Sequence, residues 1–162
     1  MDYSNLLFIF TLQCTTLNPN KMQNLSVKNV KLHENMSEET PCFSADVYKD
    51  GKLFAHAKND GRGGSSLYYP AKGVTNKEID YLAMGLDEDC HIMQLVEDYD
   101  VVTKHQSKGL VLKHENGNIF IHKFVTNKSM AQAKKSPTFN EWLERQRIDL
   151  KAQDYSIINR NL

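Results

Sequence analysis

The sequence predicts an α+β fold, with an antiparallel sheet built from two β-hairpins and packed with two to three helices. Three observations lead there. Asp50-Gly51 and Asn116-Gly117 each lie between strand-like runs, where such dipeptides supply the positive φ angles of a tight hairpin turn. The segment between the hairpins carries apolar side chains at helical spacing instead of strict alternation. Strands that come in hairpins, with helices between them, favour a layered antiparallel architecture over a parallel one.

Taken in order, the first 21 residues differ from the rest. Leu6-Leu7-Phe8-Ile9-Phe10-Thr11-Leu12 is a short apolar run preceded by Asp2 and by no positive residue, a poor match to a secretory signal. Met22 opens a better-patterned segment. Residues 1–21 therefore read as a disordered or mis-assigned N-terminal extension, with an added strand as the next choice, and residues 22–162 as a single α+β domain. The length suits one domain.

From Leu25 to Leu32 the β-branched content favours a strand, although neither alternating face is cleanly apolar. Asn35 to Pro41 is polar and reads as a loop. Cys42–Lys49 and Lys52–Lys58 flank Asp50-Gly51. A two-residue turn sets Val47 opposite Phe54, Ala45 opposite His56 and Tyr48 opposite Leu53. Phe43, Ala45, Val47 and Phe54 then form the core face. Leu67-Tyr68-Tyr69-Pro70 is a short extended piece.

Thr75 and Glu78 have the spacing of a capping box ahead of Ile79, Leu82 and Ala83. Ile92, Met93, Leu95, Val96, Tyr99, Val102 and Thr103 continue a second helix, with Asp87-Glu88-Asp89 at the end where the helix dipole favours acids. The second hairpin joins Lys108–Glu115 to Asn118–Phe124. A two-residue turn pairs Leu112 with Ile121, His114 with Ile119, Val111 with His122 and Lys113 with Phe120. Both faces carry apolar groups, so both should be covered. After the polar, basic stretch Lys128–Ser136, Thr138 and Glu141 predict the cap of a last helix, with Phe139, Trp142, Leu143, Ile148 and Leu150 as its apolar groups. Tyr155–Ile158 ends the chain as a short strand.

Chemistry is sparse. Cys14, Cys42 and Cys90 are odd in number and widely spaced, which predicts unpaired thiols and a reducing, cytoplasmic setting. No apolar run reaches the ~18 residues of a membrane span. Neither a zinc pattern nor a nucleophile elbow occurs, so no metal, cofactor or catalytic residue is assigned. His114 and His122 fall on opposite faces of their hairpin in the register above.

One loop stands out: Asn59-Asp60-Gly61-Arg62-Gly63-Gly64-Ser65-Ser66. Glycines expose backbone amides, successive amides can cradle an anion, and Arg62 adds a bidentate donor. Tyr68, Tyr69 and His56 lie close in sequence, the tyrosines to stack a base and the histidine to serve as acid or base. The candidate ligand site is therefore Asn59, Asp60, Gly61, Arg62, Gly63, Gly64 and Ser65 with His56, Tyr68 and Tyr69. The alternative is a glycine-rich turn with a purely structural role.

Lys+Arg and Asp+Glu number 20 each, a net charge of zero that speaks against a general nucleic-acid binder. The charge is unevenly placed. Residues 76–100 hold one base against eight acids, while residues 101–162 hold eleven bases against five acids. An acidic helical face could dock a basic partner, or the two regions could neutralise one another.

Met36-Ser37-Glu38-Glu39-Thr40, Phe43 to Lys52, and Asn59-Asp60-Gly61-Arg62-Gly63-Gly64 together resemble a group of short bacteriophage and bacterial mobile-element proteins with no established activity. The resemblance covers Met36 to Tyr69 and implies an accessory protein made inside a bacterial cell. The expectation is thus a non-enzymatic binding module that uses the glycine loop and the acidic helical face. Its partner would be a host protein or a small phosphorylated ligand, with no specific nucleic-acid signal and no membrane. The alternative is a small nucleotide- or phosphoester-acting enzyme with the glycine loop as its phosphate site.

Overall fold

A computed structural model describes residues 6–9, 24–124 and 128–162. The fold is α+β, but the two hairpins belong to two separate antiparallel sheets. The strands are β1 (Leu6–Ile9), β2 (Leu25–Leu32), β3 (Cys42–Lys49), β4 (Lys52–Asp60), β5 (Leu67–Pro70), β6 (Gly109–His114), β7 (Ile119–Lys123) and β8 (Tyr155–Ile157). The helices are α1 (Asn76–Met84), α2 (Leu86–His105), α3 (Met130–Ala133) and α4 (Phe139–Lys151). One sheet runs β2-β3-β4-β5 and the other β1-β7-β6-β8. Packing separates a unit within residues 12–100 from one formed by residues 101–162 with the segment containing β1.

In the first unit, Val27, Phe43, Ala45, Val47, Ala55 and Ala57 cover one face of the sheet, and Ile79, Leu82, Ile92, Met93 and Val96 of the helices pack on it. On the other, open face the side chains of Lys28, Lys31, Ser44, His56, Lys58, Leu67 and Tyr69 are exposed. Helix α1 starts with the capping box expected at Thr75 and Glu78. Helix α2 begins at Leu86, so Asp87, Glu88 and Asp89 lie in its first turn.

Two bulges change the strand registers. Asp50 (φ 50°) and Gly51 (φ 77°) make the expected two-residue turn, and Tyr48 pairs with Leu53 as predicted. The register then slips by one. Val47 faces Ala55, not Phe54; Ala45 faces Ala57; and His56 faces Asp46. Two residues at a bulge can share one face, and Phe54 and Ala55 both turn to the core. In β2 the pairing slips between Lys28 and Lys31, with Asn29 in the left-handed region at φ 52°. Leu25 and Val27 face the core before this bulge, Val30 and Leu32 after it. That switch of parity is why neither alternating face of the sequence looked apolar.

In the second unit, Leu110, Leu112 and Phe120 pack on one face of the sheet with Met130, Phe139 and Leu143, and Val111 and Ile119 pack on the other with Val102. Both faces are covered, as expected. The register again differs by one: Leu112 faces Phe120, Val111 faces Ile121, Lys113 faces Ile119 and Leu110 faces His122. The loop has three residues, Glu115-Asn116-Gly117. His114 donates its N–H to the Asn118 carbonyl at 2.9 Å, and Gly117 takes φ 90°. This is the three-residue hairpin in which a left-handed glycine follows a type I turn. His114 and His122 therefore share a face. Burial pushes the His122 imidazole below its usual pKa.

Two helix starts differ from expectation. Thr138 makes no side-chain cap to α4. The reciprocal cap is at Ser129 and Gln132 of α3, inside the stretch read as merely polar and basic. Ile148 of α4 is 69% exposed instead of buried. Strand β8 forms at Tyr155–Ile157 and pairs with β6. Of the N-terminal segment, Leu6–Ile9 pairs with β7; the rest of residues 1–21 lies outside the described residues. No helix among the described residues is long and apolar enough to cross a membrane.

Candidate functional site

The glycine loop is held by internal bonds. Asn59 is buried; its Oδ1 accepts from the Gly61 N–H at 2.9 Å and from Thr40 Oγ1 at 2.9 Å. Its Nδ2 donates to the Gly64 carbonyl and to Ser66 Oγ. The Gly63 N–H donates to Thr40 Oγ1 at 3.3 Å and the Arg62 N–H to Asp60 Oδ1 at 3.4 Å. The Ser66 N–H and the Tyr68 hydroxyl both donate to the buried Asp89 carboxylate, at 2.9 and 2.6 Å. The amides of Glu38, Glu39 and Thr40 in turn converge on the Gly61 carbonyl. The amides of Gly61, Arg62, Gly63 and Ser66 thus already donate to the protein's own oxygens, two of them carboxylates. Burial, then the bond to Asp89, holds the Tyr68 phenol far above its ordinary pKa, so it remains a neutral donor.

Tyr68 and Tyr69 point to opposite faces of β5. Tyr68 joins the core side, whereas Tyr69 is 48% exposed on the open face. There Tyr69 pairs with His56, and His56 with Asp46. Of the predicted constellation, His56 and Tyr69 come together; Tyr68 faces the other way, and exposed Arg62 lines neither depression of the open face.

Two cross-strand rows organise that open face. One is Lys31–Ser44–Lys58–Leu67, the other Lys28–Asp46–His56–Tyr69. Asp46 is the hub of the second. It accepts from Asn29 Nδ2 at 2.7 Å and contacts His56 Nδ1 at 2.6 Å. The Asn29 hydrogen bond, assisted by His56, holds the Asp46 carboxyl below the ordinary carboxylate range. An ionised carboxylate only accepts, so His56 carries a proton on Nδ1. Both contacts depend on the bulges: one puts Asn29 in the left-handed region beside Asp46, and the other brings His56 opposite it.

Strands lie ~4.8 Å apart, so the Lys31 and Lys58 backbones are separated by about 10 Å with the Ser44 hydroxyl between them. Lys58 Nζ sits 5.2 Å above the centre of the Tyr69 ring, and Lys28 Nζ 4.4 Å above Tyr48. A depression of about 350 Å³ is lined by Asn29, Lys31, Ser44, Asp46, His56, Lys58 and Tyr69 among others. A second, of about 540 Å³, shares Ser44 and Lys58 and extends to His33, Asp60, Ser65 and Leu67. Sequence reasoning missed Asn29, Lys31, Ser44, Asp46 and Lys58. The available signal was the broken alternation at 28–30, which marks a bulge.

The acidic helix is less available than its composition suggests. Asp89 is buried and bonded, while Asp87, Glu88, Glu97, Asp98 and Asp100 are half-buried. Cys42 is a buried free thiol, but Cys90 is disulfide-bonded, which corrects the expectation of three unpaired cysteines. Among the described residues, no three His, Cys, Asp or Glu side chains gather as a metal site. Comparison with family models, curated proteins and solved structures gives no match.

Proposed function

We propose that the chain is a binding module for a phosphorylated ligand, and that the ligand sits on the open face of the β2-β3-β4-β5 sheet. The observation that carries this reading is the Lys31–Ser44–Lys58 row beside the Asn29–Asp46–His56 group. Two ammonium groups and a hydroxyl flank one shallow depression, and the only acid among its described lining residues, Asp46, is already engaged by Asn29 and His56. Ammonium–phosphate contacts are charge-assisted and stronger than neutral hydrogen bonds. In this proposal the glycine loop is structural support for the sheet edge, and an accessory role in a phage or mobile element is kept as the setting. The cytoplasmic setting inferred from unpaired thiols loses that support, since Cys90 is disulfide-bonded.

Titrating the ¹⁵N-labelled chain with adenosine monophosphate should move the amide signals of Lys31, Ser44, His56 and Lys58 and leave those of Gly61 to Gly64 in place. Shifts confined to Gly61–Gly64 would transfer the site to the loop. The Asp46–His56 contact favours a second reading, a phosphoester-acting enzyme with His56 as acid or base. Phosphate released during that titration, and lost in His56→Ala, would establish it.

A further inference from the structure

We infer that the phosphorylated ligand of this face is single-stranded nucleic acid, stacked on Tyr69 and contacted at its phosphates along the Lys31–Ser44–Lys58 row; this rests on the phosphate-binding reading above. The first observation is extent. The two depressions meet at Ser44 and Lys58, so the recess continues past the space one phosphate needs. The second is apolar surface beside charge. Leu67 and Tyr69 share the open face of edge strand β5 and are 56% and 48% exposed. The Lys58 ammonium lies over one face of the exposed Tyr69 ring, so a base would stack on the other face, with that ammonium as the counter-charge for its phosphate. Lys28 over Tyr48 repeats the pairing two residues along β3 from Asp46.

The third observation is where the charge lies. Lys28, Lys31 and Lys58 occupy the open face against Asp46 and Asp60. Apart from Asp50 in the β3–β4 turn, the unit's other described acids lie at Glu34 to Glu39 and on α1 and α2. A net charge of zero for the chain therefore does not describe this surface. Helices pack on one face of the sheet and most of the described side chains on the other are exposed, the layout in which exposed aromatics on a sheet stack unpaired bases. Ammonium groups are point charges without a guanidinium's fixed fork, so binding should be tolerant of sequence.

The test is fluorescence anisotropy on the full chain with a fluorescein-labelled oligo-dT of twelve nucleotides, with adenosine monophosphate and a poly-glutamate peptide as competitors. The oligonucleotide should bind at least ~10-fold more tightly than the mononucleotide and weaken steeply with salt. Tyr69→Ala should weaken it about 10-fold, and Tyr69→Phe should restore it. Equal affinity for oligonucleotide and mononucleotide would overturn this inference and leave the phosphate reading standing. No binding of either would overturn both. Displacement by poly-glutamate as effective as by unlabelled oligo-dT would assign the face to an acidic protein and overturn it as well.

Discussion

Asp89→Ala is expected to lower the stability of the chain by about 3 kcal/mol. Asp89 is 3% exposed and accepts from the Ser66 N–H and the Tyr68 hydroxyl. Its removal strands both donors, and a buried polar group left unpaired costs ~1–3 kcal/mol. It also removes a negative charge from the first turn of α2, where an acid contributes up to ~1 kcal/mol. Urea denaturation measures the loss. Hydrogen exchange at the Ser66 amide separates this explanation from a general weakening of the helix, because that amide should lose protection in Asp89→Ala and largely keep it in Asp89→Asn. A loss below about 1 kcal/mol would show that the carboxylate does not anchor the loop.

Gly61→Ala is expected to destabilise by a similar amount for a different reason. Gly61 has φ +83°, and a Cβ there would lie 2.3 Å from the Met36 carbonyl oxygen and 2.8 Å from Cys42 Cβ. The left-handed backbone alone costs an L-residue ~1–2 kcal/mol, and crowding against fixed atoms adds ~1–3 kcal/mol. Gly64 is the internal control. Its φ is +87° with open space around its Cβ position, so Gly64→Ala should pay only the conformational part. Chemical denaturation should place Gly61→Ala at least ~1 kcal/mol below Gly64→Ala. Equal losses would mean that the tight approach to Met36 is not maintained.

These two positions show what the sequence made legible and what it hid. The glycine loop was visible as composition, since three glycines in four positions demand unusual backbone. Its purpose was not visible, because two of the groups that consume its amides, Thr40 and Asp89, lie more than twenty residues away on either side. Both hairpins were legible from Asp-Gly and Asn-Gly, as was the capping box at Thr75. The registers were not: a bulge at Phe54 and a three-residue turn at Glu115–Gly117 each move the pairing by one. A one-residue slip exchanges the faces of a strand, so it decides which side chains meet. That is how His56 came to oppose Asp46 instead of Ala45, and how His114 and His122 came to share a face. The separation into two sheets was likewise hidden, since no local signal says which strands outside a hairpin will extend it.

The open sheet face and the glycine loop make opposite claims on the same ligand, and one comparison decides between them. The dissociation constant for adenosine monophosphate should be measured by calorimetry for the parent chain, for Lys31→Gln/Lys58→Gln and for Arg62→Gln. All three substitutions are at exposed positions, so folding should be preserved. Loss of the two ammonium groups should weaken binding at least ~10-fold, the scale of charge-assisted hydrogen bonds, while Arg62→Gln should stay within about 2-fold of the parent. Weakening in Arg62→Gln with the lysine variant unchanged would contradict the assignment of the site to the sheet face.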